Sequence, residues 1–312
     1  MKTPSLVVAL TLFASAAGAV QDAGMPGAYL NYAGGARVAG MGRAYVGLAE
    51  GTDAINWNPA GLGRLRPNTI SLMHTNTNEG ANFESVSYAQ PIYRWGAVGV
   101  NYLRLDSGST PQTNEFNQEV GRFSDVQQAI MVGYGISPFK ALSLGGTFKF
   151  AKQSMAGSKA SGWGVDIGVL GMLKHGLSWG VRVQNAVAPS LSYESGEDQF
   201  PRVVTAGLGA RLLKNRLVLT ADTERAVGGT QTMKWRLGVE GTFLKVASLR
   251  AGFDIVDKSF NVGFGYTFGR KSVSFVNSAN SMGSAQHVGL DYEFGGYEVV
   301  VNADKQTFSP VG

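Results

Sequence analysis

The sequence predicts an all-β fold, a transmembrane antiparallel β-barrel of about 14 strands with an N-terminal luminal plug segment. Three observations predict it. Apolar and small or polar residues alternate along most of the chain, as in Phe260-Asn261-Val262-Gly263-Phe264-Gly265-Tyr266-Thr267-Phe268-Gly269. Successive side chains of a strand point to opposite faces, so such a segment has one oily, aromatic wall and one polar wall. The charges keep to the polar wall. The chain also opens on an export signal.

That signal comes first. Lys2 supplies a positive start, Leu6 to Ala17 an apolar run, and Ala17-Gly18-Ala19 a small-x-small cleavage site. Residues 1–19 therefore read as a secretory signal peptide, with the mature chain beginning near Val20. No other stretch approaches the ~20 apolar residues a spanning helix needs, which excludes a helical membrane protein.

Composition narrows the class further. The 312 residues include 43 glycines and no cysteine, and 16% are charged. Ordinary soluble domains carry about 25% charge and ~7% glycine. An exported chain without cysteine is no disulfide scaffold. A closed barrel needs no such staple, because every strand edge is paired. The net charge of +5 is modest and unclustered, so no nucleic-acid partner is expected.

Residues 20–67 differ from the rest of the chain. Val38, Met41, Tyr45 and Leu48 recur at helical spacing, but glycines interrupt them. Thr52 is placed to cap a short turn at Asp53-Ala54-Ile55-Asn56, ended by Asn58-Pro59. A compact, glycine-rich unit ahead of the first strand is suited to folding inside a lumen.

Residues 68–295 read as the barrel, with segments of roughly 9–13 residues, the span of a tilted strand. Leu142, Leu144, Phe148 and Phe150 oppose Ser143, Gly145, Thr147 and Lys149. Leu249, Ala251, Phe253 and Ile255 oppose Arg250, Gly252 and Asp254. Lys149, Asp166, Arg182, Arg211, Asp222, Arg236, Glu240, Arg250, Asp254, Asp291 and Glu293 all fall on the polar face. One Arg or Lys turned to mid-bilayer lipid would cost ~2–4 kcal/mol, so this phasing is informative. Tight turns are expected at Gly157–Ala160, Lys174–Gly176, Lys214–Asn215 and Asp257–Lys258. Longer links at Asp106–Ser124, Ala188–Arg202 and Gly228–Thr232 would be outer loops. Trp95, Trp163, Trp179 and Trp235, with Tyr93 and Tyr134, fit an interfacial girdle or ordinary strand propensity.

The last segment, 296–312, leaves two readings. Gln286–Gly295, ending in Phe294, looks like the closing strand. Glu298-Val299-Val300-Val301 is then an extra strand or a tail, with Phe308 an alternative terminal aromatic.

The run Gly35-Ala36-Arg37-Val38-Ala39-Gly40-Met41-Gly42-Arg43-Ala44-Tyr45, followed by Asp53-Ala54-Ile55-Asn56-Trp57-Asn58-Pro59-Ala60-Gly61-Leu62, resembles the N-terminal signature of the PorV/PorQ family. That family is related to the FadL-type hydrocarbon and fatty-acid transporters of bacterial outer membranes (OmpP1/FadL/TodX). The resemblance implies a barrel whose N-terminal plug lines a ligand path. It makes Arg37, Met41, Asp53, Trp57, Asn58, Pro59 and Ala60 the candidate plug or ligand-binding residues. Arg37 would meet a carboxylate head group or form a plug-to-wall salt bridge.

No catalytic or metal chemistry is expected. His74, His175 and His287 are far apart, with no cysteine and no nucleophile motif beside them. Gly263-x-Gly265-x-x-x-Gly269 lies inside an alternating strand and is no nucleotide loop. The function expected is an outer-membrane conduit for hydrophobic small molecules, without enzyme activity or cofactor. The alternatives are a PorV-like docking or shuttle component of type IX protein secretion, and a plugged structural barrel. Outer-membrane lipids, a hydrophobic ligand, and secreted cargo or secretion machinery are the corresponding partners.

Overall fold

The computed structural model describes residues 25–32, 34–77, 80–193, 196–228, 233–255, 258–280, 283–302 and 305–310. The expected signal peptide lies outside them, as do Asp257 of one expected turn and residues 229–232 of one expected loop. Alternation translates directly into wall. Strands β1 (Asn68–Thr77), β2 (Asn82–Pro91) and β3 (Ala97–Asp106) open it. A small hairpin, β4 (Thr110–Thr113) with β5 (Glu119–Phe123), precedes the long strands β6 (Asp125–Phe139), β7 (Leu142–Met155) and β8 (Ser158–Met172). After β9 (Leu177–Val187) comes a second hairpin, β10 (Ser190–Tyr193) with β11 (Gly196–Gln199). The wall continues through β12 (Val203–Leu212), β13 (Leu217–Ala226) and β14 (Lys234–Phe243). It is completed by β15 (Ala247–Asp254), β16 (Ser259–Phe268), β17 (Lys271–Ala279) and β18 (Ser284–Phe294).

β18 pairs with β1 from Asn68 opposite Phe294 to Thr77 opposite Ala285, closing a ring of 14 antiparallel strands. The two remaining strands, β19 (Tyr297–Asn302) and β20 (Lys305–Pro310), pair only with each other and stay outside the ring. Of the two sequence readings of this segment, the extra barrel strand is thereby removed.

Both ends of the ring are distinct. Residues 92–96, 140–141, 173–176, 213–216, 244–246 and 269–270 make one end, the turn end, where β1 begins and β18 stops. The two hairpins stand at the opposite, loop end. The turns at Ala156–Gly157 and Lys258, though short, also belong to the loop end, so length alone does not sort the connections. Trp95 and Tyr93 mark the turn end, Trp163 and Trp235 the loop end, and all four face outward. That is the placement of an interfacial aromatic girdle.

The outer face is oily at mid-height of the described strands, and outward polar side chains such as His74, Glu84, Lys152 and Arg225 lie towards the loop end. Phe264, at mid-height of β16, faces out between Leu249 and Phe275. The lumen holds the opposite set, with Lys149, Asp166, Arg182, Asp222, Arg236, Glu240 and Asp254 all buried there. A Phe264→Arg substitution is therefore expected to destabilise the barrel by ~2–4 kcal/mol. Urea-driven unfolding from lipid vesicles measures this; an unchanged midpoint would refute the assignment of this face to lipid.

Candidate functional site

The interior is occupied by residues 25–32 and 34–67. The segment is mostly irregular, with two very short helices, α1 (Ala36–Gly40) and α2 (Ala54–Trp57). Its glycines do not permit a longer helix, so the periodicity of Val38, Met41, Tyr45 and Leu48 yields burial rather than a continuous helix. The expected Thr52 cap is not formed. Thr52 Oγ1 instead meets Ser71 Oγ of β1 at 2.7 Å, and capping falls to Asn58, whose Oδ1 accepts from Ala60 N at 3.2 Å.

An irregular backbone inside a barrel must find partners for its polar groups in the wall. Here it lies directly on the wall, against glycines. Gly42, in the left-handed region at φ 62°, turns the chain onto the backbone of Gly252 and Phe253. Gly252 stands opposite Gly238 in the β14–β15 pair, and Gly207 opposite Gly180 in the β9–β12 pair. A Cβ on Gly47 would come within 2.6 Å of the Gly207 carbonyl carbon and of Leu208 N. Further round, Pro59 and Ala60 lie on Gly145, and Asn58 on Gly168.

Wall side chains then hold the plug backbone. The Asp222 carboxylate accepts from Tyr45 N at 2.7 Å and Val46 N at 2.8 Å. Ser178 Oγ donates to Gly47 O at 2.6 Å, Thr147 Oγ1 to Ile55 O at 2.8 Å, and Arg182 Nη1 to Asn56 O at 2.7 Å. Asn58 Nδ2 donates both to Val46 O and to Val169 O, each at 3.0 Å. Such groups are satisfied pairwise, which fixes the plug's path rather than merely filling space.

Charges add a second layer. Arg37 donates through Nε and Nη2 to the two oxygens of Glu240, at 2.8 and 2.7 Å, and through Nη1 to Glu50. Glu50 also accepts from Arg211 at 2.6 Å, and Glu240 from Arg250 at 2.6 Å. Arg37 is thus a plug-to-wall tie with its guanidinium committed, not an open receptor for a carboxylate head group.

Among the described residues a sizeable cavity lies on each side of the plug. The turn-end cavity, about 630 Å³, is lined by Glu50, Asp53, Arg64, Arg66, Arg211 and Glu293, among others. The loop-end cavity, about 190 Å³, lies between the plug and β16–β18. Gly35 lines both. Its amide donates to Asp53 Oδ1 at 2.5 Å, so this one contact stands where the two spaces approach each other.

Asp53 belongs to the plug, outside the spanning strands. Burial, reinforced by the charge of Asp291, pushes its carboxyl up from 3.8 to about 7. Between those values the folded chain holds a proton that the unfolded chain releases. Asp53 therefore lowers stability as pH rises from about 4 to about 7, and no further above that. The denaturation midpoint of Asp53→Asn is expected to fall less over this interval than that of the parent; parallel curves would contradict the assignment.

Of the residues expected from sequence, Arg37 and Asp53 line the turn-end cavity. Met41, Trp57, Asn58, Pro59 and Ala60 are buried between plug and wall and line neither large cavity. Trp57 lies under the Arg182 guanidinium, 5.3 Å from its ring centre. The wall's contribution, namely Asp222, Glu240 and the facing glycines, was not among the expected site residues. Its signal was present, since a glycine repeated on the inward face of strands marks a close backbone approach. Among the described residues, no group of three or more His, Asp or Glu side chains could hold a metal ion.

The model of one protein family, described as "Uncharacterised protein family (UPF0164)", matches residues 14–187, more than half of the chain. The chain belongs to that family. No curated protein matches it. Among solved structures, the chain resembles the Ralstonia pickettii toluene transporter TbuX, with a TM-score of 0.64 at 14% identity over 84% of this chain and 98% of that one. The Pseudomonas putida toluene transporter TodX gives 0.62 at 14% identity, with the same coverage. A Pseudomonas aeruginosa FadL homologue gives 0.56 at 10% identity, over 82% of this chain and 97% of that one. At such identities the shared property is the fold alone, the closed barrel described above.

Proposed function

We propose that this chain is an outer-membrane conduit of FadL type for small molecules with an apolar body. Solute would enter at the loop end, cross beside the plug, and leave through the turn-end cavity. The observation that carries this reading is the pair of cavities on opposite faces of the plug, both touching Gly35. The plug is tied down over most of its length, but the Gly35 amide depends on one Asp53 oxygen. The route therefore runs past Gly35, and opening it requires less rearrangement than expelling the plug. The polar linings favour solutes with a polar end over plain hydrocarbons. The export signal and the division 1–19, 20–67 and 68–295 belong to the same proposal, as does placement in a Gram-negative outer membrane.

Uptake of labelled 1-naphthol into cells lacking general porins tests it. Expression of the chain is expected to raise the initial rate several-fold over an empty vector. A rate equal to the vector control would remove the conduit reading. The PorV/PorQ resemblance supports a second reading, docking of secreted cargo. It rests on the outward Phe116 and Val120 of the β4–β5 hairpin region. Loss of secretion on deleting residues 110–123, with uptake intact, would favour docking over conduction.

A further inference from the structure

The loop-end cavity has a composition its larger neighbour does not share. The turn-end space mixes acids and bases; its Arg37, Arg211 and Arg250 are each paired with a carboxylate, while Arg64 and Arg66 donate to the backbone carbonyls of Lys140 and Leu65. Among the described residues lining the loop-end space there is one arginine, Arg43, and no acid. Around it stand Ser259, Asn261, Ser278 and His287, with Tyr32 as an aromatic floor.

Arg43 is placed with care. Its backbone sits at φ 62°, directly after Gly42 at the same angle, a conformation uncommon for a residue with a side chain. A hydrogen bond from Arg43 N to Val38 O at 3.0 Å helps to hold it. The guanidinium lies 5.4 Å from the centre of the Tyr32 ring, and no described carboxylate pairs with it. A strained position kept for an arginine, rather than relaxed with glycine, points to a use for that side chain.

The neutral groups nearby are also incompletely used. Ser259 is buried at 3% exposure and its hydroxyl has no hydrogen-bond partner. Asn261 Nδ2 has only a long contact, 3.5 Å, to Gly252 O. His287 is held between Thr75 Oγ1 at 2.7 Å and Ser278 Oγ at 3.0 Å. A half-enclosed cation beside an unpaired hydroxyl and a loosely bonded amide lacks one component, an anion that accepts from all three.

We infer that the loop-end cavity binds a small oxyanion, a carboxylate or a phosphate, through Arg43 with Ser259 and Asn261 as neutral donors. The guanidinium fork matches two oxygens of such a group, which a halide or a neutral solute does not offer. At ~30 Å³ per water, a space of about 190 Å³ admits phosphate or a small organic acid. The inference goes beyond the conduit reading, since the site binds whether or not a solute then crosses.

Calorimetric titration of the full-length protein in detergent tests it, with inorganic phosphate, benzoate and neutral benzyl alcohol as separate probes. Saturable binding of phosphate or of benzoate is expected, and the preferred probe tells which oxyanion the site takes. Arg43→Gln is expected to weaken that binding at least tenfold, and Ser259→Ala several-fold, with Arg43→Lys between parent and Gln. The heat-dependent electrophoretic shift of a folded barrel shows that each variant is intact. Absence of saturable binding by both anions would overturn the inference, as would equal binding of benzyl alcohol, or unchanged affinity in folded Arg43→Gln. Failed 1-naphthol uptake with intact anion binding would remove the conduit and leave this site.

Discussion

Gly252→Val is expected to yield a closed barrel whose plug cannot seat. The Gly252 inward face is in contact with the backbone of Met41 and Gly42, and Gly42 in turn reaches Leu237 O and Phe253 N. Both sides of the contact are main chain, so no rotamer change can relieve the clash. Overpacking costs typically ~1–3 kcal/mol where side chains can yield, and more is expected where they cannot. The wall itself loses no hydrogen bond, because its ladder at Gly238–Gly252 does not depend on the side chain. The plug should therefore leave the wall before the wall opens. In planar bilayers the variant is expected to show a steady ionic conductance well above that of the parent, and protease should cleave within residues 34–65. Gly146→Val is the control, because a Cβ there meets nothing nearer than 3.5 Å. A Gly252→Val protein as closed and as protected as the parent would show that the backbone contact is dispensable.

Asp222→Ala should release the middle of the plug. Its carboxylate is the acceptor for two consecutive amides, Tyr45 N and Val46 N, in a region without access to bulk water. Each amide left unpaired costs ~1–3 kcal/mol, so a loss of several kcal/mol of plug anchoring is expected. Hydrogen exchange resolves the effect locally. The Tyr45 and Val46 amides should exchange at least a hundredfold faster, while wall amides such as those of the β7–β8 pair keep their protection. Asp222→Asn retains one acceptor oxygen and should lie between. Uniform acceleration over wall and plug alike would mean that Asp222 stabilises the whole barrel rather than the plug.

The fold was legible because a bilayer punishes errors of phase. Each strand had to keep Phe260, Phe264 or Leu249 outward and Arg250, Asp254 or Glu240 inward, and that alternation is visible residue by residue. Closure between β1 and β18 accords with the same pattern. The plug was harder to read. Its location before the first strand was evident, yet the roles within it depend on what the wall presents, over separations of more than a hundred residues. Asn58 belongs to the N-terminal signature run, and it serves to join Val46 to Val169. Arg37 could have met a ligand or a wall residue, and only the position of Glu240 decides for the wall. Between Val38 and Leu48 the glycines that interrupt the helical spacing supply contact with the wall, where a continuous helix would have held the chain away from it.

A reversible lock at Gly35 and Asp53, both of the plug, tests most directly whether solute passes at this contact. The chain contains no cysteine, so a Gly35→Cys/Asp53→Cys pair would be unique. A Cβ on Gly35 would lie 3.6 Å from Asp53 Cγ, close to the reach of a disulfide. Uptake of 1-naphthol should be measured in the oxidised and reduced states of the same preparation. Oxidation is expected to lower the rate about tenfold towards the vector control, and reduction to restore it. Equal uptake in both states, with the disulfide verified by mass, would show that solute does not pass between these residues.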